Sequence, residues 1–245
     1  MVSVRFLGSG DAFGSGGRFQ ACIHVRTAGS NLLLDCGASS VIAMKRFGVD
    51  PASIDAILIS HVHGDHFGGI PFFILDAQFI SKRDKPLLIA GPPGIEERVR
   101  MAQEALFTNS SKAEQKFELG FSEWQDRVPV EITGVRVTPF EVVHGSGAPP
   151  FALRLEAQGR TVAYSGDTEW TPALIDASRD ADLFICEANF YEKAMKFHLD
   201  YRTLMSHRDE LSCVRLMLTH MNAEMIERAG TLDVECADDG LVIEV

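Results

Sequence analysis

Ten residues constrain this chain more than the rest of it. Ser60-His61-Val62-His63-Gly64-Asp65-His66-Phe67-Gly68-Gly69 follows directly on the apolar run Ile57-Leu58-Ile59. A short apolar run behind a polar stretch reads as a buried strand, so residues 54–60 are expected to form a strand that delivers the next residues at its C-terminal edge. Open α/β sheets bind ligands at that edge. His61 and His63 are two apart, so an extended backbone points both the same way. Asp65 and His66 follow where the chain turns toward a helix. Three imidazoles and one carboxylate within six residues suit a borderline metal such as zinc. The glycines at 64, 68 and 69 are expected to let the backbone turn tightly around an ion. The competing reading is a polar loop that happens to contain histidines. Their distribution weighs against it, because the chain has eight and three of them fall here.

Three more apolar runs end in a residue able to bind a metal. Val142-Val143 leads to His144, Ala163-Tyr164-Ser165-Gly166 to Asp167, and Leu216-Met217-Leu218-Thr219 to His220. A single histidine at a strand end is more often structural. Recurring in one chain beside the first segment, the three supply about the number of ligands a two-metal site needs.

Strands and helices alternate along the whole length. Strands are expected at 2–8, at 20–26 and 31–36 as a hairpin turning at Ala28-Gly29-Ser30, and at 54–60 and 87–90. A β-rich block follows at 130–133, 135–143, 151–157 and 161–165, with Gly134 and Gly159 at turns, then strands at 182–187, 214–219, 232–236 and 241–245. Helices are expected at 38–48, 68–81, 94–107, 172–178, 200–211 and 223–228, with Pro71 tolerated in a first turn. Residues 108–127 are polar and read as loop with some helix. The order suggests two similar halves, each a β-rich part followed by a βα part. Sheets must be covered on their apolar faces, and two packed mixed sheets with helices outside would satisfy every segment. No low-complexity linker divides the chain, so residues 1–245 are expected to form one domain.

Composition narrows the partners. The 245 residues are 46% hydrophobic and 23% charged, with a formal net charge of −11. No apolar run reaches the roughly 18 residues that a membrane span needs. The first residues read as a strand, with neither a basic segment nor a small-residue cleavage site ahead of it, so no signal peptide is expected. The five cysteines are scattered, with no CxxC pair, which points to a reduced, cytoplasmic protein. Long nucleic acid is usually gripped by a basic stripe. Here the densest basic cluster, Lys82-Arg83-Asp84-Lys85, is diluted by an acid, so the charge argues against a long RNA or DNA partner. A small phosphate-bearing substrate is not excluded, because bound dications invert the local field.

The HxHxDH, His, Asp, His series, in this order and on strand ends, resembles the metallo-β-lactamase superfamily over essentially the whole chain. The resemblance implies an α/β fold, a four-layer αββα sandwich of two mixed sheets flanked by helices. It implies that His61, His63 and His144 hold one metal and that Asp65, His66 and His220 hold a second. Asp167 would bridge the two, with a water or hydroxide also between them. Two Zn2+ per chain is the expectation, with Mn2+ or Fe2+ accepting the same ligands. A bridging aspartate rather than a cysteine, with Cys186 and Cys213 outside the pattern, argues against antibiotic hydrolysis.

Two further segments resemble the ribonuclease Z branch. Phe184-Ile185-Cys186-Glu187-Ala188-Asn189 is similar to its HEAT segment, and Phe197-His198-Leu199-Asp200-Tyr201-Arg202-Thr203 stands where it carries HST. By that resemblance His198 contacts the scissile phosphate or protonates the leaving oxygen, Glu187 orients His198, and Asp65 can accept the water proton. Ser60, Thr219 and Glu187 are candidates to fix histidine tautomers. The competing reading of His198 is a surface histidine before a helix capped by Asp200. The opening Phe6-Leu7-Gly8-Ser9-Gly10-Asp11-Ala12-Phe13-Gly14 is similar to the LGTG-type start of the branch; no helix follows it, so it does not read as a phosphate loop.

The departures matter as much. The long arm that grips tRNA would lie between His144 and Asp167, and those are only 23 positions apart, mostly strand. The basic PxKxRN loop is replaced by Gly16-Gly17-Arg18-Phe19-Gln20. The chain therefore also resembles the branch's small phosphodiesterases, those acting on cyclic phosphates and cyclic nucleotides. The expected activity is phosphodiester hydrolysis of a small or nucleotide-like substrate through a metal-bridging hydroxide. The alternatives on the same site are a ribonuclease Z-like RNA endonuclease or a thioester or lactone hydrolase. A non-catalytic metal-binding protein is disfavoured by the complete ligand set. A homodimer is what the family implies. Substrate choice is expected to lie in loops near 13–20, 108–127 and 145–150. Phe72, Phe73, Phe107 and Phe121 are expected to pack in the core rather than line a pocket.

Overall fold

The computed structural model describes residues 1–245. Two seven-stranded sheets face each other. The first contains β1 (Ser3–Gly8), β2 (Cys22–Arg26), β3 (Asn31–Leu34), β4 (Ala56–Leu58), β5 (Leu87–Gly91), β6 (Leu119–Glu123) and the last strand, β14 (Val242–Glu244). Its order is β14-β1-β2-β3-β4-β5-β6. The second contains β7 (Val130–Ile132), β8 (Val135–Glu141), β9 (Phe151–Ala157), β10 (Arg160–Tyr164), β11 (Leu183–Glu187), β12 (Arg215–Thr219) and β13 (Glu235–Cys236), in the order β13-β12-β11-β10-β9-β8-β7.

Each sheet opens with antiparallel strands and closes with parallel ones. Pairing is antiparallel from β14 to β3 and from β7 to β10, then parallel from β3 to β6 and from β10 to β13. This is the repeated architecture that the alternation of segments suggested. The tight hairpins explain part of it. Thr133-Gly134 and Gln158-Gly159 both take positive φ in pairs (48° and 81°; 54° and 73°), the geometry of a two-residue turn whose twist matches the strands it joins.

Alternation along the strands builds three apolar layers. Val4, Phe6, Val25, Leu32, Leu34, Leu153, Tyr164, Ile185 and Met217 meet between the sheets. Leu7, Cys22, Leu33, Ile57 and Ile89 face outward against α1 (Ser40–Arg46), α3 (Ile70–Leu75) and α4 (Ile95–Leu106). Ala163, Phe184, Cys186 and Leu218 do the same against α5 (Ala173–Ser178), α6 (Tyr201–Ser206) and α7 (Ala223–Arg228). The αββα sandwich follows from these faces, since each sheet is apolar on both sides over its central strands.

Some expectations need correction. The segment 108–127 contains an edge strand, β6, beside β5. The helix expected at 68–81 is α3 followed by a wider π turn at Asp76–Ile80, and the one at 200–211 stops at Ser206. The strand expected at 232–236 shrinks to Glu235–Cys236. Phe73 is buried in the core as expected, whereas Phe72 is exposed and lines an apolar surface pocket with Ile42, Phe79 and Ile80. No helix is long and apolar enough to cross a membrane.

Candidate metal centre

Every expected site residue lies on one edge of the sandwich. His61 and His63 leave the end of β4, and Asp65 and His66 stand on the single-turn helix α2 (Gly64–Phe67). His144 follows β8, Asp167 follows β10 and His220 follows β12. Strands β8 and β10 run in the same direction because β9 lies antiparallel between them, and β10 to β12 are parallel. Three residues far apart in sequence therefore emerge side by side.

The nitrogens and carboxylate oxygens fall into two groups able to hold an ion: His61, His63 and His144, and Asp65, His66, Asp167 and His220. His144 Nε2 is 3.0 Å from His63 Nδ1. Asp167 joins the groups, with Oδ2 3.8 Å from His61 Nε2 and 3.5 Å from His220 Nε2, and Oδ1 3.3 Å from His66 Nε2. Asp65 Oδ2 is 3.3 Å from His66 Nε2 and 3.2 Å from His220 Nε2. A third grouping of Asp167, Glu187, His198 and His220 shares two members with the second.

The tautomers support metal binding. His144 Nδ1 is 2.7 Å from the carbonyl of Phe197, which can only accept, so Nδ1 carries the proton and Nε2 presents a lone pair. His66 Nδ1 likewise donates to Asp35 Oδ2 at 2.7 Å. His61 Nδ1 is 3.1 Å from Ser60 Oγ, whose own hydrogen goes to Asp35 Oδ2 at 2.8 Å. Three imidazoles are thus turned with Nε2 inward. Buried His61 Nε2, His66 Nε2 and Asp167 Oδ1 have no hydrogen-bond partner. Such orphaned polar atoms are costly, and a divalent cation among them would satisfy all three. The donor set of imidazoles and carboxylates fits the group.

Electrostatics point the same way. Burial opposes ionisation of Asp65 and Asp167, yet the neighbouring imidazoles of His66 and His220 hold both carboxyls well below their usual range. Burial and the imidazole of His66 keep His61 well below its ordinary value. Burial also opposes a charge on His220, but Asp167 and then Asp65 push it up to about 9. A carboxylate-rich pocket that draws in protons exchanges them for a metal on binding.

Beside the ligands, Glu187 is fully buried. One oxygen accepts the Thr168 N–H, and the other is 3.1 Å from His198 Nδ1. Burial, then Asp167, pushes Glu187 up to about 7, while burial lowers His198 and its bond to Glu187 more than restores it. His198 is 22% exposed and opens onto a pocket of about 440 Å3 lined by Glu169, Trp170, Met195, Lys196 and Thr203. Asp200 caps α6 by accepting the Thr203 N–H, so the helix cap and the His198–Glu187 contact coexist.

Several residues were not legible. Asp35 follows β3 and is a buried hub: it accepts from Ser60 N and Oγ, His66 Nδ1 and Tyr164 Oη at 2.7, 2.8, 2.7 and 2.9 Å. The signal was present, since Leu32-Leu33-Leu34-Asp35-Cys36-Gly37 is another apolar run ending in a carboxylate. Glu169 accepts the Phe197 N–H at 2.7 Å, and the Asn189 amide contacts His220 Nδ1 at 3.1 Å. Of the residues expected to fix tautomers, Ser60 and Glu187 touch site histidines. Thr219 does not; its hydroxyl faces the Ser9 carbonyl at 3.4 Å. The glycines of the motif act differently from expectation. None of the three has positive φ. A Cβ on Gly69 would meet the Gly37 carbonyl at 2.2 Å, one on Gly68 the Gly64 carbonyl at 2.4 Å, and one on Gly64 nothing. Close backbone packing, not a turn around an ion, explains Gly68 and Gly69.

Known proteins resemble this chain in sequence and in fold. The sequence profile of the family described as "Anti-Pycsar protein Apyc1" matches residues 2–235. A ribonuclease Z of Methanosarcina mazei is 29% identical, over 95% of this chain and 91% of the relative. That alignment runs over 289 positions, more than the chain has residues, so the relative carries segments absent here. Among solved structures, the metallo-β-lactamase fold protein YhfI from Bacillus subtilis superposes with a TM-score of 0.78 at 23% identity, covering all of both chains. The short form of human tRNase Z reaches 0.79 at 24% identity, covering 99% of this chain and 98% of that one. The chain belongs to the family described as anti-Pycsar protein Apyc1, and it is a metal-dependent hydrolase of the ribonuclease Z-like branch of the metallo-β-lactamase superfamily.

Proposed function

We propose that this chain is a dinuclear metal-dependent phosphodiesterase acting on a small or nucleotide-like phosphodiester. The observation that carries the reading is the convergence of two ligand groups on Asp167, with three buried donor atoms left unpartnered. His61, His63 and His144 would hold one ion, and Asp65, His66 and His220 the other, with Asp167 shared. When bound, such ions activate water at neutral pH and neutralise charge on phosphoryl oxygens. Zinc suits the donors, and Mn2+ or Fe2+ would use the same set.

The chain's own groups do the rest. Glu187 engages His198 Nδ1, which leaves Nε2 to meet the leaving oxygen and donate a proton. Asp65, at the mouth of the second group, can accept a proton from water. The pocket beside His198 has room for a leaving group, and Lys196 on its wall supplies a positive charge. The short interval between His144 and Asp167 is filled by β9 and β10, which leaves no place for an RNA-gripping arm. One apolar cluster joins both sheets, which supports a single domain. All five cysteines are free, as a reducing cytoplasm would leave them.

Metal analysis of the purified protein, paired with hydrolysis of bis-p-nitrophenyl phosphate before and after chelation, tests the proposal. The expected result is about two metals per chain and activity lost on chelation and restored by zinc or manganese. Two metals without phosphodiester cleavage would move the chemistry to thioesters or lactones. The ribonuclease Z relatives favour a second reading, an RNA endonuclease, and cleavage of a precursor tRNA faster than a small diester would establish it.

A further inference from the structure

The outward face of the first sheet changes character along β1 to β3. Toward the metal edge it presents Leu7, Cys22 and Leu33 to the helices. Toward the other end the same face carries Ser3 and Arg5, His24 and Arg26, and Asn31. These are cross-strand neighbours: Arg5 lies opposite His24, and Arg26 lies between Ser3 and Asn31. With the turn from Gly48 to Ser53 they line a pocket of about 410 Å3, within the size range of small-ligand sites.

The two arginines differ from those on the other sheet. Arg136, Arg154, Arg160 and Arg215 each stand on a strand with a carboxylate at 3.6, 3.3, 2.7 and 2.6 Å. Neither Arg5 nor Arg26 has a carboxylate within 4.0 Å. Arg5 gives one N–H to the Phe47 carbonyl at 2.9 Å, and Arg26 is exposed. Asp50 also lines the pocket, but its Oδ1 accepts the Ala52 N–H at 2.9 Å. Like charges sharing one face of a sheet repel, and this protein has acid to spare, with 34 acidic residues against 23 basic. Two unpaired guanidiniums in a concavity focus a positive field and offer forked donors that match phosphate oxygens. Between them His24 is only 9% exposed, with Nε2 3.3 Å from Asn31 Oδ1.

We propose that this pocket binds a small phosphate-bearing anion between Arg5 and Arg26, with His24 at its floor, at a site separate from the metal centre. His24 supplies the reporter. Burial, and beyond it the charges of Arg26 and Arg5, hold it below its ordinary value, against a raising bond from Asn31; an anion seated there would raise it.

The experiment is a titration of the metal-loaded protein with inorganic phosphate, following the histidine ring resonances by NMR, with His24 assigned through His24→Gln. The expected result is a saturable shift of His24 toward the protonated form. Arg26→Ala, at an exposed position, is expected to raise the midpoint about tenfold or more, as loss of a charge-assisted contact implies. Responses of the metal-site histidines should be unaltered. Arg5→Gln, checked for folding by its thermal melt, should act in the same direction. A nucleoside monophosphate with a lower midpoint than phosphate would assign an organic phosphate, and the reverse order free phosphate. An equal shift with chloride at matched ionic strength, no shift of His24, or an unchanged midpoint in Arg26→Ala would overturn the proposal.

Discussion

The candidate metal centre is built in two ways. Four of its side chains, His61, His63, Asp65 and His66, come from one stretch six residues long; the other three, His144, Asp167 and His220, come singly from the ends of β8, β10 and β12. The contiguous stretch is oriented locally, by one buried carboxylate. Asp35 holds His66 directly and His61 through Ser60. The dispersed residues rely on strand register to bring them together and on a different contact each: Phe197 for His144 and Asn189 for His220. A motif can be compact in sequence when one loop carries it. It is scattered when a sheet carries it, because each strand contributes one residue at its edge.

Asp167 is where the two constructions meet, so it gives the largest expected effect. Asp167→Ala removes oxygens that face His61, His66 and His220, and both ions and all diester hydrolysis are expected to be lost. His63→Ala touches only the first group and is expected to leave one metal per chain. Metal counts on the two variants test this; equal losses would mean that the groups are not separately assembled.

His198 comes next. It sits outside both main groups, engaged by Glu187, so His198→Ala should keep its metals. With a poor alkoxide leaving group, turnover is expected to fall about 10²- to 10⁴-fold, the usual worth of a positioned acid. With p-nitrophenolate, which leaves without a proton, the fall should be much smaller. An equal fall with both leaving groups would remove His198 from proton transfer.

Asp35 tests the local construction. Asp35→Ala leaves His66 Nδ1, the Ser60 N–H and the Tyr164 hydroxyl without their acceptor in a fully buried place. Breaking such a buried pair is expected to cost about 3 to 5 kcal/mol of stability, and metal affinity should fall about 10- to 100-fold. Denaturant melts of the metal-free and loaded forms measure both. A melt unchanged from wild type would show that the loop holds itself.

What could be read from the chain follows this same division. The strand Ile57-Leu58-Ile59 and the histidines behind it announce themselves, and once they are placed, strand ends at His144, Asp167 and His220 become meaningful. Asp35 is not legible in the sequence because one carboxylate after Leu32-Leu33-Leu34 has no neighbour in sequence to mark it; its partners are 25, 31 and 129 residues away. Strand β6 was hidden for another reason. Leu119-Gly120-Phe121-Ser122-Glu123 is only half-buried at a sheet edge, so it shows neither the continuous apolar run of a central parallel strand nor clean alternation. Its identity rests on pairing with β5, which local sequence does not report.

The smallest expected effect belongs to the dispersed half. Glu169 follows the Asp167–Thr168 strand end, and its carboxylate accepts the Phe197 N–H at 2.7 Å. Phe197 sits at φ 74°, an uncommon backbone conformation for a bulky residue, so something must hold it there. Its carbonyl in turn accepts His144 Nδ1–H, and the next residue in the chain is His198. One carboxylate thereby positions a proposed metal ligand and the proposed proton donor through a single backbone unit. Glu169→Ala is expected to weaken metal binding by about tenfold, as loss of a supporting contact typically does, and to lower kcat with little change in KM. Glu169→Gln keeps an oxygen that can accept the same N–H and should restore most of both. If Glu169→Ala binds metal and turns over like the wild type, Phe197 is held by packing alone, its ring lying against Gly145, and the dispersed half needs less support than the contiguous one.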